Sequence, residues 1–213
     1  RELLKADTVK VETIGTMRGK KLGNILISPV RYNPPSNTLE VITSMKIEIL
    51  FTGSVVSAKS LSESALFSES LSKGVLNYYE SDLIPGYSDK PVRMIILTDT
   101  AFRDHLEPFI KWKTMKGFRL DILYKGAGFA GDTYTDIKNT LSQIYNSSSE
   151  DNPPPEYLLI VGNTTKVPYY GTGNITDLYY GEFDGDGDYF PELFIGRLPV
   201  ADTNELKNVV DKI

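Results

Sequence analysis

Apolar residues change their spacing twice along the chain. Residues 9–14 alternate apolar and polar side chains, and Leu39, Val41, Met45, Ile47, Ile49 and Phe51 do so against Glu40, Lys46 and Glu48. A period of two marks strands with one buried face. Residues 22–30 supply another strand between them, joined to the third by the turn-rich run Asn33-Pro34-Pro35-Ser36-Asn37. The expectation is a half-exposed antiparallel sheet. Three strands alone are marginal, so further strands upstream of Arg1 are expected to complete it.

Residues 54–90 break the alternation. Serine dominates as far as Ser72, and Pro85-Gly86-Tyr87-Ser88 is a turn signal. This stretch reads as a linker with one short helix over 65–76, and Lys73-Gly74 within it as an exposed peptide bond open to cleavage.

From Pro91 the pattern is βαβαβ. Residues 92–97 form a continuous apolar strand of the kind a buried parallel sheet requires. Phe102, Leu106, Phe109 and Trp112 recur at helical spacing behind the cap candidates Thr98, Asp99 and Thr100, with Pro108 restarting the helix as a first-turn residue and Gly117 ending it. Residues 118–124 are the second strand. Tyr134, Ile137, Leu141, Ile144 and Tyr145 mark a second helix capped by Thr133, and residues 157–162 are the third strand. A further strand enters at Leu193. Asp202-Thr203-Asn204-Glu205 resembles a capping box and opens a helix bearing Leu206, Val209, Val210 and Ile213. An open α/β sheet with right-handed crossovers follows.

Composition narrows the function classes. With 213 residues there is room for one large domain or two small ones. A net charge of −5 without a basic stripe argues against nucleic acid as a partner. No apolar run reaches the roughly 20 residues that cross a bilayer. Cysteine is absent, so these residues offer neither disulfides nor thiol chemistry. Arg1 opens in mid-pattern, which points to a piece of a longer precursor.

The most informative chemistry lies in the run from Thr176 to Arg197. Asp184, Asp186 and Asp188 alternate with glycines, and Glu192 follows Phe190-Pro191. Converging carboxylates repel unless a cation or bulk water absorbs their charge. A Gly-rich loop lets successive carboxylates meet at one point, and calcium takes about six to eight such oxygens. The Phe190 carbonyl and Glu192 can close the shell. An EF-hand is rejected, because Tyr189 stands where that loop needs glycine and Ile195 where it needs glutamate. The bland alternative is a solvated acidic turn between strands.

Other motifs carry less. Gly126-Ala127-Gly128-Phe129-Ala130-Gly131 satisfies G-x-G-x-x-G, but Asp132-Thr133 caps the helix only after the last glycine. A dinucleotide site needs the helix to start within the glycines, so this run reads as a connecting loop. His105, the only histidine, sits mid-helix without a nucleophile nearby and reads as a surface side chain.

Pro91-Val92-Arg93-Met94-Ile95-Ile96-Leu97, the run from Phe109 to Phe118, the strand from Tyr157 to Gly162 and the run from Thr176 to Arg197 resemble, in order and spacing, the gingipain catalytic domain of peptidase family C25. The lysine-specific branch is the most similar. The resemblance implies secreted or cell-surface cysteine endopeptidases of Bacteroidales, with a caspase-like fold of two subdomains that acts on proteins and peptides. It implies three regions: 1–53 as the C-terminal strands of a β-sandwich propeptide, 54–90 as activation linker, and 91–213 as an N-terminal subdomain. The family's catalytic His and Cys are expected beyond Ile213, in a C-terminal subdomain that is part of the same chain or a separate chain of a nicked enzyme. No catalytic residue is therefore assigned here.

The resemblance also implies a structural calcium ion held by Asp186, Asp188, the Phe190 carbonyl and Glu192. Asn163 stands where the family has an aspartate ligand, and Asp184, from a lengthened loop, is expected to restore that charge. Asp177 is expected to support the loop or ligate nearby. Two readings remain: part of a zymogen that cleaves after basic residues, Lys ahead of Arg, or a non-catalytic calcium-stabilised surface or secretion module built on the same half-domain.

Overall fold

The computed structural model describes residues 7–50, 64–78, 91–149, 151–173 and 175–213. The first strands form two separate hairpins. β1 (Val9–Met17) pairs antiparallel with β2 (Lys20–Ile27), and β3 (Val30–Asn33) with β4 (Thr38–Val41). Between β1 and β2, Arg18 (φ 51) and Gly19 (φ 77) form a two-residue turn with both φ positive, whose twist matches the flanking strands. A bulge shifts the register between Thr13 and Gly15.

Two expectations fail here. Residues 22–30 are not one strand: the run stops at Ile27 and resumes at Val30, because Pro29 has no N–H to continue a ladder. The alternation from Leu39 to Phe51 yields a strand only as far as Val41. Residues 42–50 carry no regular structure, and Phe51 lies outside the described residues. Alternation specifies which side chains share a face, but a strand also needs a partner for its backbone groups. Val11, Ile27, Val30, Tyr32, Leu39 and Val41 remain exposed on these hairpins.

The stretch read as a linker contains a packed helix. α1 (Ala65–Gly74) is capped by the Ser64 side chain, which accepts from Phe67 N at 3.4 Å, and it buries Phe67 and Leu71. The Phe67 ring lies 4.4 Å from that of Phe194 in the sheet domain. Lys73-Gly74 closes this helix and is not an extended segment. The turn signal at 85–88 lies outside the described residues.

The remainder is a three-layer α/β unit. β5 (Arg93–Thr98), β6 (Arg119–Tyr124), β7 (Tyr157–Val161) and β8 (Phe194–Leu198) form a parallel sheet in the order β6-β5-β7-β8. Central β5 is buried along its whole length. Its residues alternate between two cores, as a pleated strand dictates. Met94 and Ile96 join Phe102 from the 3-10 turn before α2 (Arg103–Met115), Leu106 and Phe109 of α2 and Leu206 of α4 (Thr203–Val210). Ile95 and Leu97 join Ile137, Leu141 and Tyr145 from α3 (Tyr134–Asn146).

Pro108 lies inside α2 and does not open it; a 3-10 turn (Thr100–Phe102) capped by Asp99 begins the helical stretch. α3 starts with the full capping box of Thr133 and Asp136. Asp202 caps α4 by accepting from Asn204 N and Glu205 N, while Glu205 reaches back to Ala201 N. At the entry to β5 the buried Arg93 pairs with Asp121 of β6 at 2.5 Å and donates to the Pro153 carbonyl.

Candidate functional site: the acidic loop and the hairpin docked on it

The acidic run lies between a 3-10 turn (Leu178–Gly181) and β8. Gly185 (φ 107) and Gly187 (φ 84) adopt positive φ, which lets the chain turn tightly between aspartates. Its side chains differ in burial. Asp184 and Asp186 face solvent, Phe190 is half-buried, and Asp188 and Glu192 are buried.

Glu192 is only 1% exposed. Its Oε2 accepts from Phe183 N at 3.2 Å, whereas Oε1 has no hydrogen-bond partner. Burial, and after it the neighbouring Asp184 carboxyl, pushes the Glu192 carboxyl up to about 8. Asp188 is satisfied instead. Its Oδ1 accepts from Phe190 N at 3.0 Å, and its Oδ2 accepts from Thr16 N of the first hairpin at 2.7 Å. Among the described residues no three His, Cys, Asp or Glu side chains stand close enough together to cage a metal. The fold therefore brings Asp184 and Asp188 within electrostatic reach of Glu192 and leaves Asp186 in solvent.

The hairpin contact extends beyond Thr16. Arg18 donates to the Pro155 carbonyl at 3.0 Å and the Glu192 carbonyl at 3.1 Å. Its guanidinium lies over the rings of Phe67 (4.8 Å) and Tyr145 (5.3 Å). The sequence reading missed these residues. The only local signal was Arg18-Gly19 between two apolar-polar runs, and nothing local reveals a partner more than 170 residues away.

Other candidates serve the scaffold. Asn163 Oδ1 accepts from Thr165 N, Thr165 Oγ1 and Lys166 N, which caps its own turn after β7. Asp177 pairs with Arg197 through both carboxylate oxygens at 2.6 and 2.7 Å. Arg197 also donates to the carbonyls of Gly162, Val167 and Pro168, tying the loop after β7 to β8. The glycine run closes on itself through paired bonds between Gly126 and Gly131, ahead of the α3 cap, as a connecting loop does. His105 is an exposed side chain of α2.

Residues 87–213 match peptidase family C25. Lys-gingipain of Porphyromonas gingivalis is 32% identical over 97% of this chain, which spans 12% of that protein's length. Gingipain R2 of the same organism is 27% identical over 87% of this chain, and 25% of its own length is covered. Among solved structures, a protease superimposes with TM-score 0.54 and 35% identity, covering 59% of this chain and 28% of that one. The Arg-specific cysteine proteinase gingipain R superimposes with TM-score 0.51 and 26% identity, over 61% and 29% of the two chains. The sheet order, the two cores and these matches have one meaning: the chain belongs to peptidase family C25, the gingipain-type cysteine peptidases, and carries part of their caspase-like fold.

Proposed function

We infer that this chain is the C-terminal part of a propeptide and its activation linker, joined to the N-terminal subdomain of the catalytic domain in a secreted gingipain-like endopeptidase zymogen. In this reading the catalytic His and Cys come from the remaining half, where the His activates the thiolate that attacks the scissile carbonyl. The whole protein cleaves after basic residues, Lys ahead of Arg. The observation that carries this reading is the 32% identity to Lys-gingipain, which runs through the hairpins as well as the sheet domain. The test is hydrolysis of matched Lys and Arg peptides by the complete protein, with and without a thiol-alkylating agent. Alkylation-sensitive turnover, faster on Lys, is the expected result. Resistance to alkylation would exclude the cysteine mechanism, and faster Arg cleavage would reverse the specificity.

The acidic loop in this reading holds a structural calcium ion through Asp184, Asp186, Asp188, the Phe190 carbonyl and Glu192. The buried Oε1 of Glu192, without a partner, supports it: a desolvated carboxylate oxygen beside other carboxylates gains most from a hard cation. The ion supplies positive charge that neutralises the loop. Asn163 has no role in it, because its side-chain oxygen already accepts from its own turn.

A further inference from the structure

α1 is a weak helix supported by its neighbours. Its ten residues include three serines and end on glycine, and an isolated helix of that length and composition is marginal in water. The sheet domain supports it through the Phe67 ring, 4.4 Å from that of Phe194. The turn between β1 and β2 supports it from the other side. Arg18 lies 4.8 Å from the centroid of the Phe67 ring, and Lys20 lies 5.4 Å from that of Tyr78. The hydroxyls of Ser68 and Tyr78 share a hydrogen bond of 2.6 Å, so the two ends of the segment 67–78 are also tied to each other.

Lys73-Gly74 lies between those pinned ends. The Lys73 side chain is exposed and pairs with Glu69 one turn back. A Cβ on Gly74 would meet nothing within 4 Å, and Leu76 is 94% exposed. The bond is open to approach from solvent, and backbone shape alone withholds it. Val75 N donates to the Leu71 carbonyl at 2.9 Å, and Tyr78 N to the Val75 carbonyl at 3.2 Å. An endopeptidase takes its substrate in extended form, so cleavage requires this segment to open first. We propose that the Lys73-Gly74 bond is a latent cleavage site for a lysine-specific endopeptidase, guarded by the β1–β2 turn and cleavable only when that turn undocks. The step is hydrolysis: water adds across the amide, leaving the Lys73 carboxylate and a new amino terminus at Gly74.

Undocking removes both supports at once, because Arg18 and Lys20 flank Gly19 in one tight turn. Each cation over a ring is worth a few-fold in an equilibrium constant, so the pair shifts the opening of α1 by about tenfold. Cleavage follows the open population when opening and closing are fast beside the cut. The amide of Thr16 reports docking separately, since it donates to Asp188 Oδ2 across the contact. As the cut that parts pro-region from enzyme, this site rests on the zymogen reading above; the guard itself does not.

The experiment is limited digestion of the 213-residue chain by an added serine-type lysine-specific endopeptidase, with the cuts located by mass spectrometry, alongside hydrogen exchange at the Val75 and Thr16 amides. Lys116-Gly117 at the end of α2 is the internal control, because Gly117 stands in equally open space. The variant carries Arg18→Asn and Lys20→Gln; Asn tolerates the positive φ at that position, so the turn is kept. Its cleavage at Lys73 should be about tenfold faster than the parent's, with cleavage at Lys116 changed by less than about twofold. In the parent, the Val75 amide should exchange no faster than the Thr16 amide once intrinsic rates are divided out. An unchanged rate at Lys73 would overturn the proposal, and so would an equal rise at both bonds, which marks global loosening. Faster exchange at Val75 than at Thr16 would also overturn it, by showing that α1 opens beneath a docked turn. The added peptidase supplies the specificity, so failure of the Lys preference proposed above would leave the guard standing.

Discussion

At the residue scale the acidic loop is defined by the contrast between Asp188 and Glu192. Both are buried, yet one carboxylate has two backbone donors and the other has one donor and a bare oxygen. With its carboxyl held near 8, Glu192 keeps its proton in the folded chain where the unfolded chain, with an ordinary value of about 4.3, has released it. Between those two values the folded state binds more protons, so stability falls as pH rises through the window. In chelator, the melting temperature should therefore drop between about pH 5 and about pH 8, and Glu192→Gln should flatten that slope. A slope of the same size in the variant would assign it to another group. At this scale the sequence exposed the carboxylates, because Asp-Gly alternation is a local pattern. It could not show which of them would be buried, nor that Arg197 would claim Asp177, since those facts depend on which segments the fold stacks together.

At the element scale the parallel-sheet unit was legible, because β5, β7 and the helices α2–α4 each carry an unbroken apolar run or a 3.6-residue period. The hairpin region was less so. Its alternation is genuine, but Pro29 divides one expected strand, and among the described residues 42–50 join no strand ladder. Pro108 was misplaced for a similar reason: proline favours a first turn, but the apolar face from Phe102 to Trp112 overrides that preference and carries the helix through it. The override has a cost. Pro108 cannot donate to the Asp104 carbonyl one turn back, and the residue faces solvent. Pro108→Ala should accordingly raise stability by about 1–3 kcal/mol in urea unfolding. A loss would mean that the ring contributes packing beyond its exposed surface.

At the scale of the whole molecule, two kinds of surface meet. The sheet domain has a core on each face, while the hairpins expose Val11, Ile27, Val30, Tyr32, Leu39 and Val41 and reach the sheet domain through the tip at Gly15, Thr16 and Arg18. The receiving surface is assembled from α1, α3, the segment before β7 and the acidic loop. No pattern in the sequence announces such a surface, because its parts are adjacent only after the fold has formed.

That mosaic receiver for Arg18 leads to an expected order of events in folding. Phe67, Tyr145, Pro155 and Glu192 come together only when the sheet and its covering helices are in place, so the hairpin tip is expected to dock on a finished surface rather than template it. Interactions absent from the folding transition state act on escape from the native state. Arg18→Asn should leave the refolding rate unchanged and speed unfolding by about tenfold. Slowed refolding would instead make the tip part of the nucleus. On that expectation the hairpin acts as a late clasp, whose strength is measured in how long the native state lasts.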